Sequence, residues 1–167
     1  MSESQVDHQA VEQLNRLLQT SKTLQLATQG KNGPEASYSP FVLSEGDLYI
    51  FVSELASHTL NLMRSPAVGV MLIEDEAMSR NLFARNRVTL QCQASEVRRD
   101  ATEYAPVMAL YREEHGTTVD LLLTLPDFKL FRLTPDQGRL VLGFGRAFTL
   151  QMPDFLLQPV TADTIQN

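Results

Sequence analysis

A cluster of hydrogen-bonding side chains follows an apolar run near the middle of the chain. The stretch SELASHTLNLMRSP comes directly after LYIFV and holds its polar residues within nine positions: Ser53, Ser57, His58, Thr59 and Asn61. A strand that ends where a helix begins is a natural anion site, because the first helical N–H groups have no intrahelical acceptor and the helix dipole favours negative charge. Helix capping by Ser57 is the alternative explanation.

Two strands and a short helix must position this cluster. DLYIFVSEL and AVGVMLIEDE are rich in strand formers, whereas HTLNLMRS is long enough for one or two helical turns, which Pro66 cannot continue. The cluster is therefore predicted to join two strands through a short helix.

A long alternating strand carries a second group of candidate residues. In NLFARNRVTLQCQASEV one face is polar and the other is apolar; the polar face holds Arg85, Arg87, Thr89, Gln91, Gln93 and Ser95. A guanidinium on this face can form paired hydrogen bonds with a phosphate or a carboxylate, and a solvated face is the alternative. Cys92 lies on the apolar side and is predicted to be core.

The remaining elements are two helices and several strands. AVEQLNRLLQTS has helical spacing and should end near Ser21, while DATEYAPVMALYREEHG is bounded by Asp100 as N-cap and Gly116 as stop, with Pro106 causing a kink or a late start. TLQLATQ and EASYSPFVL are predicted to form a hairpin, and DFKLFRLTP and GRLVLGFGRAFTL the last two strands. Antiparallel strands with short turns and peripheral helices indicate a mainly β (α+β) fold, either a closed or partly closed barrel or a sandwich.

Composition limits the function classes. The 167 residues, 43% hydrophobic and 20% charged, predict one globular domain, and the single cysteine excludes an intramolecular disulfide or a multi-thiolate metal site. A net charge of −6 argues against nucleic acid or an anionic membrane as partner. Without a bilayer-length apolar run or a signal-peptide core, the predicted location is cytoplasmic.

Six segments together resemble the haem-utilisation branch of the pyridoxamine-5′-phosphate-oxidase-like FMN-binding split barrels: LQLAT, ASYSPFV, LYIFVSELASHTLNLMRSPAVGVMLIEDE, LFARNRVTL, LPDFKLFRLTP and GRLVLGFGRAF. The resemblance implies an antiparallel six-stranded split barrel (Greek key) with peripheral helices. Residues 10–150 would form this domain, between a flexible N-terminus (1–9) and a C-terminal tail (151–167). In the wider superfamily, the counterpart of the first polar cluster helps bind the phosphate of FMN at the interface of a homodimer. The apolar strands GRLVLGFGRAF and SPFVLSEGDLYIFV agree with a homodimer, because they hold more apolar surface than one small barrel needs.

Individual residues match the family pattern. His58 with Thr59 matches a segment that lines the ligand cleft, and Arg87 matches a basic residue that faces the same cleft. Asp127 resembles an acidic residue that in haem-binding members hydrogen-bonds the axial histidine, and a simple turn cap is its alternative. The predicted cofactor-binding residues are Ser53, Ser57, His58, Thr59, Asn61, Arg85, Arg87 and Asp127. No catalytic residue and no protein metal site is assigned.

One departure from the family pattern affects the expected ligand. The family resemblance implies an axial histidine near the C-terminus of haem-binding members. Residues 151–167 contain no histidine, and the three histidines of the chain are at positions 8, 58 and 115. His58 is predicted to be a polar contact in the cleft and not the principal iron ligand. Three functions remain: a protein that binds haem b at a dimer interface and opens the ring to release iron, an FMN-binding oxidoreductase, or a split barrel that binds a ligand without turnover.

Overall fold

The computed structural model describes residues 7–161, which fold into one antiparallel sheet with helices around it. The helices are α1 (His8–Thr20), α2 (Ser57–Arg64), α3 (Tyr104–His115) and α4 (Thr118–Leu123), with two single-turn 3₁₀ helices at Glu76–Met78 and Leu82–Ala84. The strands are β1 (Thr23–Gly30), β2 (Gly33–Pro40), β3 (Val42–Ser44), β4 (Asp47–Ser53), β5 (Ala67–Ile73), β6 (Arg87–Val97), β7 (Phe128–Leu142), β8 (Arg146–Gln151) and β9 (Leu156–Pro159). Among the described residues, no helix has the length and apolar character needed to cross a membrane.

The strands follow the order β2-β1-β5-β6-β7-β4-β3, and β8 and β9 extend the sheet from β7. The strands β2 and β4 approach each other, which brings the two sides of the sheet together into a partly closed barrel. The predicted mainly β split barrel is confirmed. Residues 7–161 hold nine strands where six were expected; part of the predicted C-terminal tail forms β9, and α1 begins inside the predicted flexible terminus, whose residues 1–6 lie outside the described residues.

The last part of the sheet differs from the predicted strands at two points. DFKLFRLTP and the start of GRLVLGFGRAFTL form the single strand β7, because Pro135 lies where the register between β6 and β7 shifts and its missing N–H is tolerated. The second predicted strand is broken at GFG. Gly143 and Gly145 have φ values of 54° and 75°, so the chain turns there and returns as β8.

The main core fills the concave side of the sheet and is closed by α1. The alternation predicted for β6 is confirmed, since Val88, Leu90 and Cys92 are buried whereas Thr89 and Gln91 are exposed. Cys92 is 2% exposed, and burial raises its pKa to about 12, so the thiol remains protonated at neutral pH.

A second core lies under α3 and α4, on the outer side of β4 and β7. Tyr49 and Phe51 of β4 pack there against the two helices, so the apolar surface of SPFVLSEGDLYIFV is buried within the chain. The prediction of Asp100 as N-cap is wrong: α3 has Glu103 as N-cap, and Pro106 lies in its first turn, where its missing N–H is not needed. Pro106 therefore gives a late start.

The other half of the outer side carries a shallow groove of about 640 Å³ across β1, β5, β6 and β7. Its lining includes small or uncharged side chains such as Ala27, Gly69 and Gln91, and Arg139 is its one charged lining residue. We call this surface the open sheet face. It is a broad surface with little charge, which is the property expected of a surface that another protein covers.

Candidate ligand-binding site

The turn that leaves β4 is held by two predicted site residues. The Ser53 hydroxyl donates a hydrogen bond to Asp127 Oδ2 across 74 positions of sequence, and the Leu55 N–H donates to Ser53 Oγ at 3.0 Å. The backbone closes the same contact, because the Glu54 N–H donates to the Asp127 carbonyl oxygen at 2.9 Å. Asp127 and Ser53 therefore fix the direction of the chain just before α2.

The first residue of α2 is Ser57, and Ala56 is the N-cap, with no side-chain capping bond. The alternative that Ser57 caps the helix is therefore wrong. The Thr59 N–H donates to the Ala56 carbonyl oxygen at 3.1 Å, so the amides of Ser57 and His58 are the ones at the start of α2 that have no intrahelical acceptor. The Ser57 side chain is exposed next to them. An anion site at this helix start stays a prediction, with which the uncapped start of α2 is compatible.

His58 is held against β2. Its Nδ1 lies 3.0 Å from the Ser37 hydroxyl, and the residue is half-buried. Burial lowers the pKa of His58 below its usual 6.5, so the imidazole is neutral at pH 7. One ring nitrogen is thus engaged with a hydroxyl, and the ring has a defined orientation.

Asn61 fastens α2 to the β1–β2 hairpin. Its amide nitrogen donates to Thr28 Oγ1 at 3.1 Å and to Glu35 Oε2 at 2.9 Å, and Arg64 donates to its amide oxygen. Thr59 is fully buried nearby, and its hydroxyl has no hydrogen-bond partner among residues 7–161. Both residues belong to the packing that holds α2 in place.

A cleft of about 510 Å³ lies between α2 and the β1–β2 turn. Leu60 and Met63 give it apolar surface, at 48% and 50% exposure, while Lys31 and Arg64 give it cations. Glu35 also lines it and was missed by the sequence reasoning. The signal was available, because period-two alternation places Glu35 on the same side of β2 as Ser37.

The two predicted arginines lie at the other end of β6. Arg85 precedes the strand, so its predicted place on the strand face is wrong; the 3₁₀ turn Leu82–Ala84 delays the start of β6 to Arg87. The Arg85 guanidinium donates to the Glu74 carbonyl oxygen and lies 3.4 Å from the Glu76 carboxylate. Arg87 donates to the Arg85 carbonyl oxygen at 3.1 Å and shares the outer side of β6 with Thr89.

Within one chain, Arg87 contacts Arg85 but does not meet the predicted site residues around α2. Ser37, the contact of His58, pairs with the buried Leu26 and therefore faces the concave side, whereas Arg87 faces the outer side. The strands β2 and β6 are three strand spacings apart in the sheet, about 14 Å, before the opposite sides are counted. Asp127 lies near the opposite end of β6 from Arg87. It precedes the start of β7, which pairs with Val97, and Val97 is ten residues, or about 33 Å, along β6 from Arg87.

Two exposed aromatic residues accompany Arg87 and were also missed. Phe83 is 89% exposed in the β5–β6 loop, and Phe144 is 69% exposed in the β7–β8 turn. The Gly143 N–H donates to Asn86 Oδ1 at 3.1 Å, which holds the turn against the end of that loop. Phe144 lies in the GFG sequence, so the exposed aromatic side chain between two glycines was the available signal.

Comparison with known proteins identifies the family of this arrangement. The model of the pyridoxamine 5′-phosphate oxidase family matches residues 10–142. The haem oxygenase HutZ of Vibrio cholerae is 41% identical over 145 residues, which are 86% of this chain and 82% of that protein.

Solved structures agree with the sequence comparison. The crystal structure of V. cholerae HutZ, described as a haem storage protein, matches with a TM-score of 0.73 over 79% of this chain and 93% of that one. Campylobacter jejuni ChuZ, 26% identical, matches with a TM-score of 0.83 over 96% of this chain and 66% of that one. A haem-binding protein of Mycobacterium smegmatis, 25% identical, matches with a TM-score of 0.74 over 85% and 57%. The chain belongs to the pyridoxamine 5′-phosphate oxidase family and, within it, to the haem-utilisation branch that includes HutZ.

Proposed function

We propose that this protein binds haem b in a cleft beside α2 that a second copy of the chain completes, and that it acts in opening the haem ring. The observation that carries the proposal is the composition of the cleft. Leu60 and Met63 offer apolar surface for a porphyrin plane, and Lys31 and Arg64 offer cations for its propionates. The name of the relative HutZ as a haem oxygenase supports the same ligand and reaction.

A homodimer is part of the proposal because of the placement of His58 and Arg87. His58 lies on the helix that borders the cleft, is not one of its lining residues and contacts Ser37 on the concave side, whereas Arg87 faces the outer side. A ligand that meets both residues therefore requires Arg87 from a second copy. The open sheet face supports this arrangement. Arg139 is its one charged lining residue, so a twofold contact could bury this face at little electrostatic cost.

We propose haem rather than FMN as the ligand of the cleft beside α2. FMN carries its negative charge on one phosphate, whereas haem divides a similar charge between two propionates, and the Glu35 carboxylate in the lining of the cleft disfavours a concentrated negative charge. The apolar side chains of Leu60 and Met63 also suit a porphyrin. Bound haem supplies the redox chemistry, while the residues of this chain bind and orient it.

His58 is proposed as a polar contact to the ligand, not as the principal iron ligand. A strong axial histidine has its other nitrogen held by a carboxylate or a carbonyl, whereas His58 Nδ1 meets the Ser37 hydroxyl. The ferric haem spectrum of His58→Ala tests the role. We expect the coordination bands of the wild type to remain; their collapse in the variant would identify His58 as the axial ligand.

Separate titrations of ligand-free protein with haemin and with FMN test the proposed function. We expect a saturable Soret band with one haem per cleft, and FMN binding weaker than haem by about tenfold or more. The matched variant is Arg64→Ala, which removes a cation of the cleft and should lower the affinity for haemin. Stoichiometric FMN binding with only non-saturating haem adsorption would overturn the proposal in favour of the flavin enzyme.

A further inference from the structure

The helix that carries His58 lacks the usual means of fixing its start. The N-cap Ala56 has no side chain able to accept a bond from the first helical amides, so no capping bond fixes the start of α2, although Asn61 anchors its later part to the β1–β2 hairpin. The β4–α2 turn is instead fixed by residues that precede the helix and by the start of β7, through Ser53 and Asp127.

The turn is fastened to β7 on two sides. On one side are the Ser53–Asp127 side-chain bond and the bond from the Glu54 N–H to the Asp127 carbonyl oxygen. On the other side, Lys129 Nζ lies 3.5 Å from Glu54 and 2.9 Å from Glu96, which holds the Glu54 side chain next to β7. The Ala56 N–H donates to the Ser53 carbonyl oxygen at 3.1 Å, so the position of Ser53 is transmitted directly to the N-cap.

We propose that Asp127 is a positioning residue that acts through Ser53 to direct α2 and so places His58 against Ser37. The Ser53 hydroxyl has both of its roles filled: it donates to Asp127 and accepts from Leu55. Without Asp127 the Ser53 hydroxyl that accepts from the Leu55 N–H is no longer held in place, and without the Ser53 hydroxyl the Leu55 N–H has lost its acceptor. The role in ligand binding rests on the proposed function, whereas the placement of His58 does not.

This role differs from the one that the family resemblance implies for Asp127. There the carboxylate orients an axial histidine through its charge and its acceptor strength. Positioning through Ser53 requires only an acceptor oxygen, and an asparagine side chain retains one. Asp127→Asn therefore separates the two roles, and Asp127→Ala removes both.

The experiment compares Asp127→Ala, Asp127→Asn, Ser53→Ala and the double alanine variant, with Asp154→Ala as control for loss of an exposed aspartate. The first readout is the ring NMR signals of His58 without ligand, and the second is haemin affinity. We expect Asp127→Ala and Ser53→Ala to shift the His58 signals in the same way and to lower the haemin affinity by about tenfold. The double variant should be no worse than either single one, and Asp127→Asn should keep the wild-type signals.

Three results are decisive against the positioning role. His58 signals unchanged in all variants would overturn it, as would additive effects of the two alanine substitutions. A silent Ser53→Ala together with an Asp127→Asn as damaging as Asp127→Ala would assign the effect to the charge of Asp127. If Asp127→Ala fails to fold, Ser53→Ala carries the test, since it removes only a hydroxyl. Shifted His58 signals with unchanged haemin affinity would support the positioning role and contradict the proposed function.

Discussion

The two ends of the sheet that carry predicted site residues differ in how far a single chain completes them. At the α2 end, polar side chains pair with one another, as Asn61 does with Glu35 and Arg64 and as Ser53 does with Asp127. At the Arg87 end, the arginine donates to a backbone carbonyl, and Phe83 and Phe144 project into solvent.

This difference indicates which end of the sheet has its binding geometry formed before a ligand arrives. Groups that hydrogen-bond within the chain hold their geometry before a ligand arrives, so we expect the α2 end to be preorganised. Exposed aromatic side chains in the loops at the Arg87 end of the sheet offer a large apolar contact surface, which is characteristic of an interface. We therefore expect substitutions at the open sheet face and at Arg87 to affect assembly and ligand binding more than folding.

The largest effect is expected from Gln91→Arg, at the centre of the open sheet face. Gln91 is exposed in one chain, so the variant should fold normally. In a twofold dimer each substitution buries a charge, and we expect dimer affinity to fall by at least about a hundredfold, with haem binding lost as well. Sedimentation velocity measures the loss of dimer. Gln158→Arg, an exposed site on β9, is the control; a Gln91→Arg protein that remains dimeric at low micromolar concentration would exclude the open sheet face as the interface.

The next effect is expected from Arg87→Ala. Its side chain leaves no core cavity when truncated, whereas loss of a charge-assisted contact with a propionate should cost about 1.5 to 3 kcal/mol of ligand binding. Haemin titration and thermal melting are measured together, with Arg98→Ala at the far end of β6 as control. A sharp fall in Tm with unchanged haemin affinity would assign Arg87 a purely structural role.

A smaller effect concerns the pH dependence of stability through His58. Because burial holds its folded pKa below the unfolded value near 6.5, the unfolded chain binds the proton more readily. The stabilising contribution of the neutral ring is fully present above about pH 6.5 and is lost as the pH falls below it. We expect urea unfolding free energy to fall more between about pH 7.5 and about pH 5.5 in the wild type than in His58→Gln. Parallel pH profiles of the two proteins would contradict the buried, neutral state of His58.

The sequence predicted features that follow from local patterns. Alternation assigned Val88 and Leu90 to the core and Thr89 to the outer side of β6, and the run from Ser57 to Pro66 identified α2. These predictions held because the period of the pattern is also the period of the backbone.

Features that depend on tertiary contacts were not predictable in this way. DFKLFRLTP and GRLVLGFGRAFTL were predicted as two strands, but the register shift next to Pro135 lets β7 continue through both. The bond between Ser53 and Asp127 joins residues 74 positions apart, and no local pattern indicates it. The opposite orientations of His58 and Arg87 required the strand order, which a single sequence does not supply.

Mixed dimers test the shared cleft most directly. His58→Ala and Arg87→Ala subunits carrying different affinity tags are combined, and heterodimers are isolated and titrated with haemin beside both variant homodimers. If each cleft takes His58 from one copy and Arg87 from the other, a heterodimer has one intact cleft and one lacking both residues, so one haem should bind per heterodimer with wild-type affinity. Neither homodimer should contain such a site. Heterodimers without a wild-type site would show that both residues act within their own chain, contrary to the cleft proposed here.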